Sequence, residues 1–296
     1  MKASATIKEK KQKDNKNIIY IILFFIFLII LSLFIAFKFS IEKKSTGVTK
    51  TNQTNGYSSV SKAEIISTEP VLNTGSPEWI QVVSQGEDEK FTNLSEGMFT
   101  IYKAHSPKIL KTTYSIDSPI LSMNDVITKY PNSLIMNASG FDMSSNTITG
   151  FQINNGQLFK DWGTDKRANN AFVIMKDGSS KIYDSSIPAS TVMTDGAAMS
   201  FSFGSILIRD GVVQANDGSV NWMIHSFIGN DKDNNLYLII SDTSVGYNLI
   251  IQTLTSLSLE NVVVLDGGGS SQMSINGETL YFSQDDRAVS DYIVLQ

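Results

Sequence analysis

Asn261-Val-Val-Val-Leu-Asp-Gly-Gly-Gly-Ser-Ser271 is the stretch from which both the fold and the chemistry of this chain are read. Its short β-branched apolar run predicts a buried strand that stops at Asp266. One glycine suffices for a turn, whereas three in a row are costly in backbone entropy. Such a run lets the chain take positive φ and present successive N–H groups, which predicts a concave anion-binding nest. Asp266, Gly267, Gly268, Gly269, Ser270 and Ser271 are therefore candidate site residues: a carboxylate, a row of donors and two hydroxyls at a strand's end.

Upstream, Leu236-Tyr-Leu-Ile-Ile240 reads as a strand, and Ile250, Leu254 and Leu257 recur at helical spacing between Tyr247 and Leu259. Together with Val262 to Leu265 they predict a β–α–β unit, whose crossover makes its two strands parallel. Parallel strands end on one edge, so Asp242 and Asp266 should both reach the edge where ligands of such sheets gather. Elsewhere β signals dominate. Asn154-Asn-Gly156, Lys176-Asp-Gly178 and Arg209-Asp-Gly211 are turns between apolar runs, Asp233-Asn-Asn235 opens a strand, and Trp79-Ile-Gln-Val-Val83 reads as the first strand. The expected class is α+β: a mixed β-sheet with few helices and one late β–α–β unit, forming one domain over residues 77–296.

The N-terminal quarter reads differently. Ile18 to Phe37 is an uninterrupted apolar run without charge, long enough to cross a bilayer as a single helix, and no cleavage site of small residues follows it. Six lysines precede the run and Lys38, Lys43 and Lys44 follow it. This asymmetry predicts a cytoplasmic basic tail (1–17), a transmembrane helix (18–37) and an outward-facing remainder. Residues 38–76, rich in Ser, Thr, Asn and Lys, are expected to form a disordered tether. The first fifty residues hold ten lysines against Glu9, Asp14 and Glu42, leaving 14 basic and 26 acidic residues beyond them, a net charge of −12. So acidic a domain excludes non-specific nucleic-acid binding. The absence of cysteine removes disulfides, thiolate nucleophiles and cysteine-ligated metals. An exported domain without disulfides suits a bacterial cell membrane and envelope.

Rare residues narrow the chemistry further. The chain has only three arginines, Arg167, Arg209 and Arg287, so a guanidinium stands out as a fork for phosphate or carboxylate. Arg209, in a turn, reads as solvated. Arg287, in Asp285-Asp-Arg-Ala-Val-Ser290, reads as a ligand contact or as an ion-pair partner of a neighbouring aspartate. His105, in a loop, reads as a surface residue. His225, in the strand-like Trp222-Met-Ile-His-Ser-Phe-Ile-Gly229, reads as a core histidine or a proton-transfer group. No Gly-x-Ser-x-Gly elbow and no His-Glu-x-x-His pair is present, which weighs against serine hydrolase and zinc peptidase chemistry. Asp231-Lys-Asp-Asn-Asn235 is like a calcium loop, but Leu236 stands where such a loop needs glycine. No resident metal or cofactor is expected, and the sequence leaves a divalent-cation requirement open.

Four motifs occur in order: Asn137-Ala-Ser-Gly-Phe-Asp142, Gly150 with Asn155-Gly156, Leu265-Asp-Gly-Gly-Gly-Ser-Ser-Gln-Met273, and Arg287-Ala-Val-Ser-Asp291. In these the chain resembles the phosphodiester glycosidase family, over roughly residues 134–295, many members of which are bacterial envelope proteins. The resemblance adds Asn137 and Asp142 to the candidate site. It also marks departures: His225 stands where the family usually has arginine, Val264 where asparagine is frequent, and Ser139 where glycine is common. Loss of that guanidinium implies either that a protonated His225 replaces it or that the substrate differs.

The resemblance implies cleavage of a sugar 1-phosphodiester, with Asp266, Asp142, Asp242 and His225 as candidate catalytic residues. Asn137, Gly267, Gly268, Gly269, Ser270, Ser271 and Arg287 are the candidate substrate-binding residues. Because the departing phosphate monoester is a weak base, such a reaction needs charge stabilisation on phosphate and a carboxylate beside an oxocarbenium-like centre rather than a general acid. Two other classes stay open: a non-catalytic envelope module binding anionic glycopolymers, and an enzyme of polysaccharide assembly that transfers a glycosyl group. In each case the expected partners are an anionic sugar polymer and, through the N-terminal helix, the membrane.

Overall fold

The computed structural model describes residues 75–86, 89–216, 223–243 and 245–296. The expected basic tail, membrane helix and all but the last two residues of the tether lie outside the described residues. Among the described residues no helix is long and apolar enough to cross a membrane.

Two antiparallel sheets carry the architecture. One has seven strands in the spatial order Val212–Val213, Ile206–Arg209, Leu259–Val264, His225–Asp231, Leu236–Ser241, Phe99–Ala104 and Phe91–Asn93. The other has six, in the order Ile80–Gln81, Lys108–Lys111, Tyr292–Leu295, Leu134–Asn137, Met273–Ile275 and Glu278–Tyr281. A smaller sheet of Ala197–Ser202, Asn170–Met175 and Ser180–Asp184, and a hairpin of Gln152–Asn154 with Gln157–Lys160, complete the strands.

Side-chain alternation explains why the central strands read as continuous apolar runs. Leu236, Leu238 and Ile240 enter the core shared with Met136, Met273 and Ile293 of the six-stranded sheet, whereas Tyr237 and Ile239 face the helix Tyr247–Ser256. In the six-stranded sheet Leu134 and Met136 point to the shared core, while Ile135 points to the helix Met123–Lys129. A strand apolar on both faces has to be covered on both faces, which the facing sheet and the helix outside each sheet achieve. The late helix buries Ile250 and Leu254, as its periodicity predicts.

The domain is dominated by sheet with few helices, as expected, but the sheets are not mixed: every pairing among the described strands is antiparallel. The expected β–α–β unit is interrupted as well. Leu236–Ser241 and Leu259–Val264 run in the same direction, but His225–Asp231 lies between them and pairs with both. The cause is local. Residues 232–235 close a tight hairpin, with Asn234 at φ 64° and the Asp231 carboxylate accepting from the Asp233 and Asn235 N–H groups. The helix then carries the chain over the hairpin to its far side. The four turn expectations hold, with Asn155, Gly156, Gly178, Asp210 and Gly211 all at positive φ. Helix Met123–Lys129 was not expected. Its signal is the box in which Ser122 and Asp125 cap each other. His105 is half-buried rather than a surface residue, with Nδ1 2.7 Å from Asn235 Oδ1.

Beneath the loops that carry the site lies a fully buried ion pair, Lys111 with Asp291. Asp291 also accepts from the Thr113 N–H (3.2 Å) and hydroxyl (2.9 Å), and Lys111 donates to Ser139 Oγ at 3.2 Å with its ammonium over the Phe201 ring. Burial pushes the lysine pKa down, against the pull of Asp291. Removing one partner leaves an uncompensated buried charge, so Lys111→Met should destabilise the fold by roughly 3–5 kcal/mol in denaturant titration. Lys111→Met combined with Asp291→Leu should recover much of that loss. A double variant no more stable than the single one would show that the network of hydrogen bonds, not the charge pair, holds this region.

Candidate active site

One edge of the seven-stranded sheet gathers the candidate chemistry. The central strand begins at His225, paired with Ser241 on one side, and Phe227 pairs with Val264 on the other. Asp242 and Asp266 therefore leave the sheet at the same edge, with the start of the His225 strand between them. They do not meet. Asp266 lines a cavity of about 860 Å³ together with Asp142, Arg167, His225, Gly267–Ser270 and Arg287. Asp242 faces away from it, exposed, and accepts from the Tyr281 hydroxyl at 3.1 Å.

Asp266 is held from behind. Its N–H donates to Ala138 O (2.9 Å), and Asn137 Nδ2 donates to its carbonyl (2.7 Å). Asn137 is fully buried, and its Oδ1 accepts from Ser226 Oγ at 2.8 Å and the Gln272 N–H at 3.1 Å. It is thus a positioning group behind the site and does not line the cavity. Ser271 is likewise buried, accepting from or donating to Ser226 Oγ at 3.2 Å.

The glycine run differs from a free nest. Gly267 N–H donates to Asp266 Oδ1 (3.1 Å), Gly268 N–H to Ile224 O (2.8 Å), and the Ser270 and Ser271 N–H groups close a 3₁₀ turn onto Gly267 and Gly268. Among the five, only the Gly269 N–H has no acceptor among the described residues. Sequence alone misses this because it does not reveal that the start of another strand comes close enough to take the Gly268 N–H, nor that those of Gly267, Ser270 and Ser271 close onto the loop itself. The glycines serve that approach: a Cβ on Gly267 would sit 2.5 Å from Ile224 O, and Gly268 is at φ +61°.

Electrostatics separates the two cavity carboxylates. Burial pushes Asp266 up to about 6, against the opposing effects of Ser270, the Gly267 N–H, Arg287 and Arg167. Asp142 is exposed and accepts through Oδ1 from the Ser144 hydroxyl and the Ser144 and Ser145 N–H groups, which hold it down at about 2. Two guanidinium groups face them from separate segments. Arg287 forks onto Asp285, with Nε 2.9 Å from Oδ1, and Arg167 forks onto Asp165, with Nη2 2.6 Å from Oδ2. The ion-pair reading of Arg287 is met without removing it from the cavity. Arg167 was not singled out for the site. The scarcity of arginine was its signal, since two of the chain's three line this cavity. The third, Arg209, expected to be solvated, pairs with Asp184 at 2.9 Å. His225 is only 5% exposed, and burial pushes its imidazole down to about 4, so the ring is neutral at neutral pH. It does not replace the charge of an arginine.

The model of the phosphodiester glycosidase family matches residues 132–296, more than half of the chain, and the protein belongs to that family. The SPbeta prophage-derived uncharacterized protein YomE of Bacillus subtilis strain 168 is 29% identical over 179 residues, 54% of this chain and 27% of that protein. The chain thus spans about a quarter of that relative's length. Among solved structures, the catalytic domain of zebrafish N-acetylglucosamine-1-phosphodiester alpha-N-acetylglucosaminidase, auto-inhibited by its pro-peptide, shares the fold. Its TM-score is 0.54 at 16% identity, covering 75% of this chain and 88% of that one.

The raised pKa of Asp266 carries a stability signature. Its native pKa lies above the usual unfolded value near 3.9, so the native state holds the proton more tightly and stability falls as pH rises between about 4 and 6. Asp266→Asn, uncharged and nearly isosteric, should therefore unfold at a higher temperature than the parent at pH 7.5, a gain of up to roughly 3 kcal/mol. The gain should fade toward pH 4. Thermal unfolding at both pH values checks this, and an equal difference at both would mean that the carboxylate is solvated.

Proposed function

We propose that this protein hydrolyses a sugar 1-phosphodiester in an envelope glycopolymer or exopolysaccharide, acting outside a bacterial cell and tethered by residues 18–37. The observation that carries the reading is the cavity itself, in which two carboxylates of widely different acidity stand with two guanidinium groups. Family membership supports the class of bond, and the uninterrupted apolar run supports the location.

Expulsion of a phosphate monoester needs no proton donor, so the work left to the protein is stabilising two developing charges and activating water. Arg287 offers a guanidinium to the phosphate oxygens, provided that Asp285 shares its fork. Asp142 stays ionised throughout the working range and stabilises positive charge at the anomeric carbon. Asp266, poised near 6, accepts a proton from the attacking water once ionised. Asp242, outside the cavity, takes no part in this scheme.

The scheme fixes a pH profile. The active form carries ionised Asp266, so kcat/KM on a chromogenic sugar 1-phosphodiester should rise about tenfold per pH unit up to about 6 and then level off. Asp266→Asn should lower turnover at least about a hundredfold and abolish that limb while the protein stays folded. A folded variant that keeps the limb assigns it to another group. A parent protein that binds sugar phosphates but turns none over would instead support the binding-module reading.

A further inference from the structure

His225 leaves one polar atom of the cavity wall unsatisfied. Its Nε2 is buried and has no hydrogen-bond partner among the described residues, and His225 is one of the residues that line the cavity, with Asp266 and the glycine run. A buried ring nitrogen without a partner has lost its water and gained nothing in exchange, and native structures usually fill such a position with a ligand or an ordered water. The ring is also well placed by its surroundings. Its centroid stands 6.0 Å from that of Phe227, two residues along the strand, and its neighbours are fastened to the Asp266 loop. Gly268 N–H donates to Ile224 O at 2.8 Å, and Leu265 N–H donates to Ser226 O at 2.7 Å. A group bound to Nε2 is therefore held at a fixed offset from Asp266.

The chemistry of that group follows from what surrounds the ring. The charged donors of the cavity, Lys166, Arg167 and Arg287, belong to other segments and suit an anion. Desolvation keeps the imidazole neutral, so it offers one N–H or one lone pair and no net charge. A hydroxyl can serve either tautomer, since it both donates and accepts. We propose that His225 is a sugar-binding residue, its Nε2 hydrogen-bonded to a hydroxyl of the glycone, with the phosphate lying on the arginine side of the cavity. The assignment rests on the sugar-phosphodiester reading for its substrate class and gives that substrate a direction in the cavity.

The test uses the intact protein labelled with ¹⁵N in its histidine and arginine side chains, titrated separately with inorganic phosphate, N-acetylglucosamine 1-phosphate and free N-acetylglucosamine. Both sugars should shift the His225 ring nitrogens, whereas phosphate alone should shift the Arg287 Nε signal and leave His225 in place. His225→Phe should weaken both sugar ligands at least tenfold and leave phosphate affinity within about twofold. His225→Gln, which keeps a neutral donor and acceptor, should restore most of the loss, an outcome that a purely packing role would not give. Equal losses for sugar and phosphate, or His225 signals that no sugar moves, overturn the proposal. Free sugar bound through His225 by a protein that hydrolyses no sugar 1-phosphodiester would overturn the hydrolase reading and keep the sugar site.

Discussion

Lys111 and Asp291 form the contact on which the site depends, because both cavity carboxylates, Asp142 and Asp266, hang from segments that this pair fixes. Asp291 accepts from the Ser139 N–H at 3.4 Å through its side chain and from the Ala138 N–H at 3.0 Å through its carbonyl. Ala138 in turn takes the Asp266 N–H, and three residues beyond Ser139 the same segment reaches Asp142. Asn154 Nδ2 closes the other side, donating to the carbonyls of Lys111 (3.2 Å) and Thr113 (2.9 Å). Buried ion pairs seldom add net stability over an apolar filling. What this one supplies is fixed geometry. Its charges cannot be satisfied if residues 138–139 shift, so the loop carrying Asp142 and the loop carrying Asp266 stay in one relation.

The sheets impose a second constraint on the same edge. An antiparallel hairpin brings the start of one strand beside the end of the next, so His225 lies level with Ser241 and one strand away from Leu265. Strands in a sheet stand about 4.8 Å apart, which puts Asp242 roughly 10 Å from Asp266 across the intervening strand. Asp242, on the far side of that strand, does not line the cavity, whereas His225 does. The topology thus selects which of three titratable groups at one edge share a site.

Much of this was legible in the sequence, and what was not has a physical reason. The turns were readable because Asn-Gly and Asp-Gly supply the positive φ that tight connections require. The hairpin Asn276-Gly277, at φ 51° and 85°, carried the same signal and was not read. The site's centre was readable from Asp266 and its glycines. Strand order was not, since a helix between two parallel strands is equally compatible with adjacent strands and with a strand inserted between them. The fate of the glycine N–H groups was not either. Ile224 takes the Gly268 N–H through its backbone carbonyl, which leaves no mark in residue identity. Arg167 was visible only as one of three arginines, and its place in the cavity comes from a 3₁₀ turn that Asp165 caps.

The charge of the cavity decides how it selects. Lys166, Arg167 and Arg287 line it, but Asp165 and Asp285 already engage the two guanidinium groups, and Asp142 and Asp266 face them. Cations and carboxylates nearly balance, and the domain around them is acidic. Such a site gains little from long-range attraction of a polyanion, which physiological salt screens beyond about 8 Å. Its discrimination has to come from contact, through directional hydrogen bonds made by the groups that line it. Directional bonds of this kind reject a ligand that cannot complete them, because the buried partner is then left unpaired. A cavity that ignored geometry and responded to charge alone would be occupied by any anion. The aspartates that offset the arginines remove that liability, and they leave recognition to shape and hydrogen bonding.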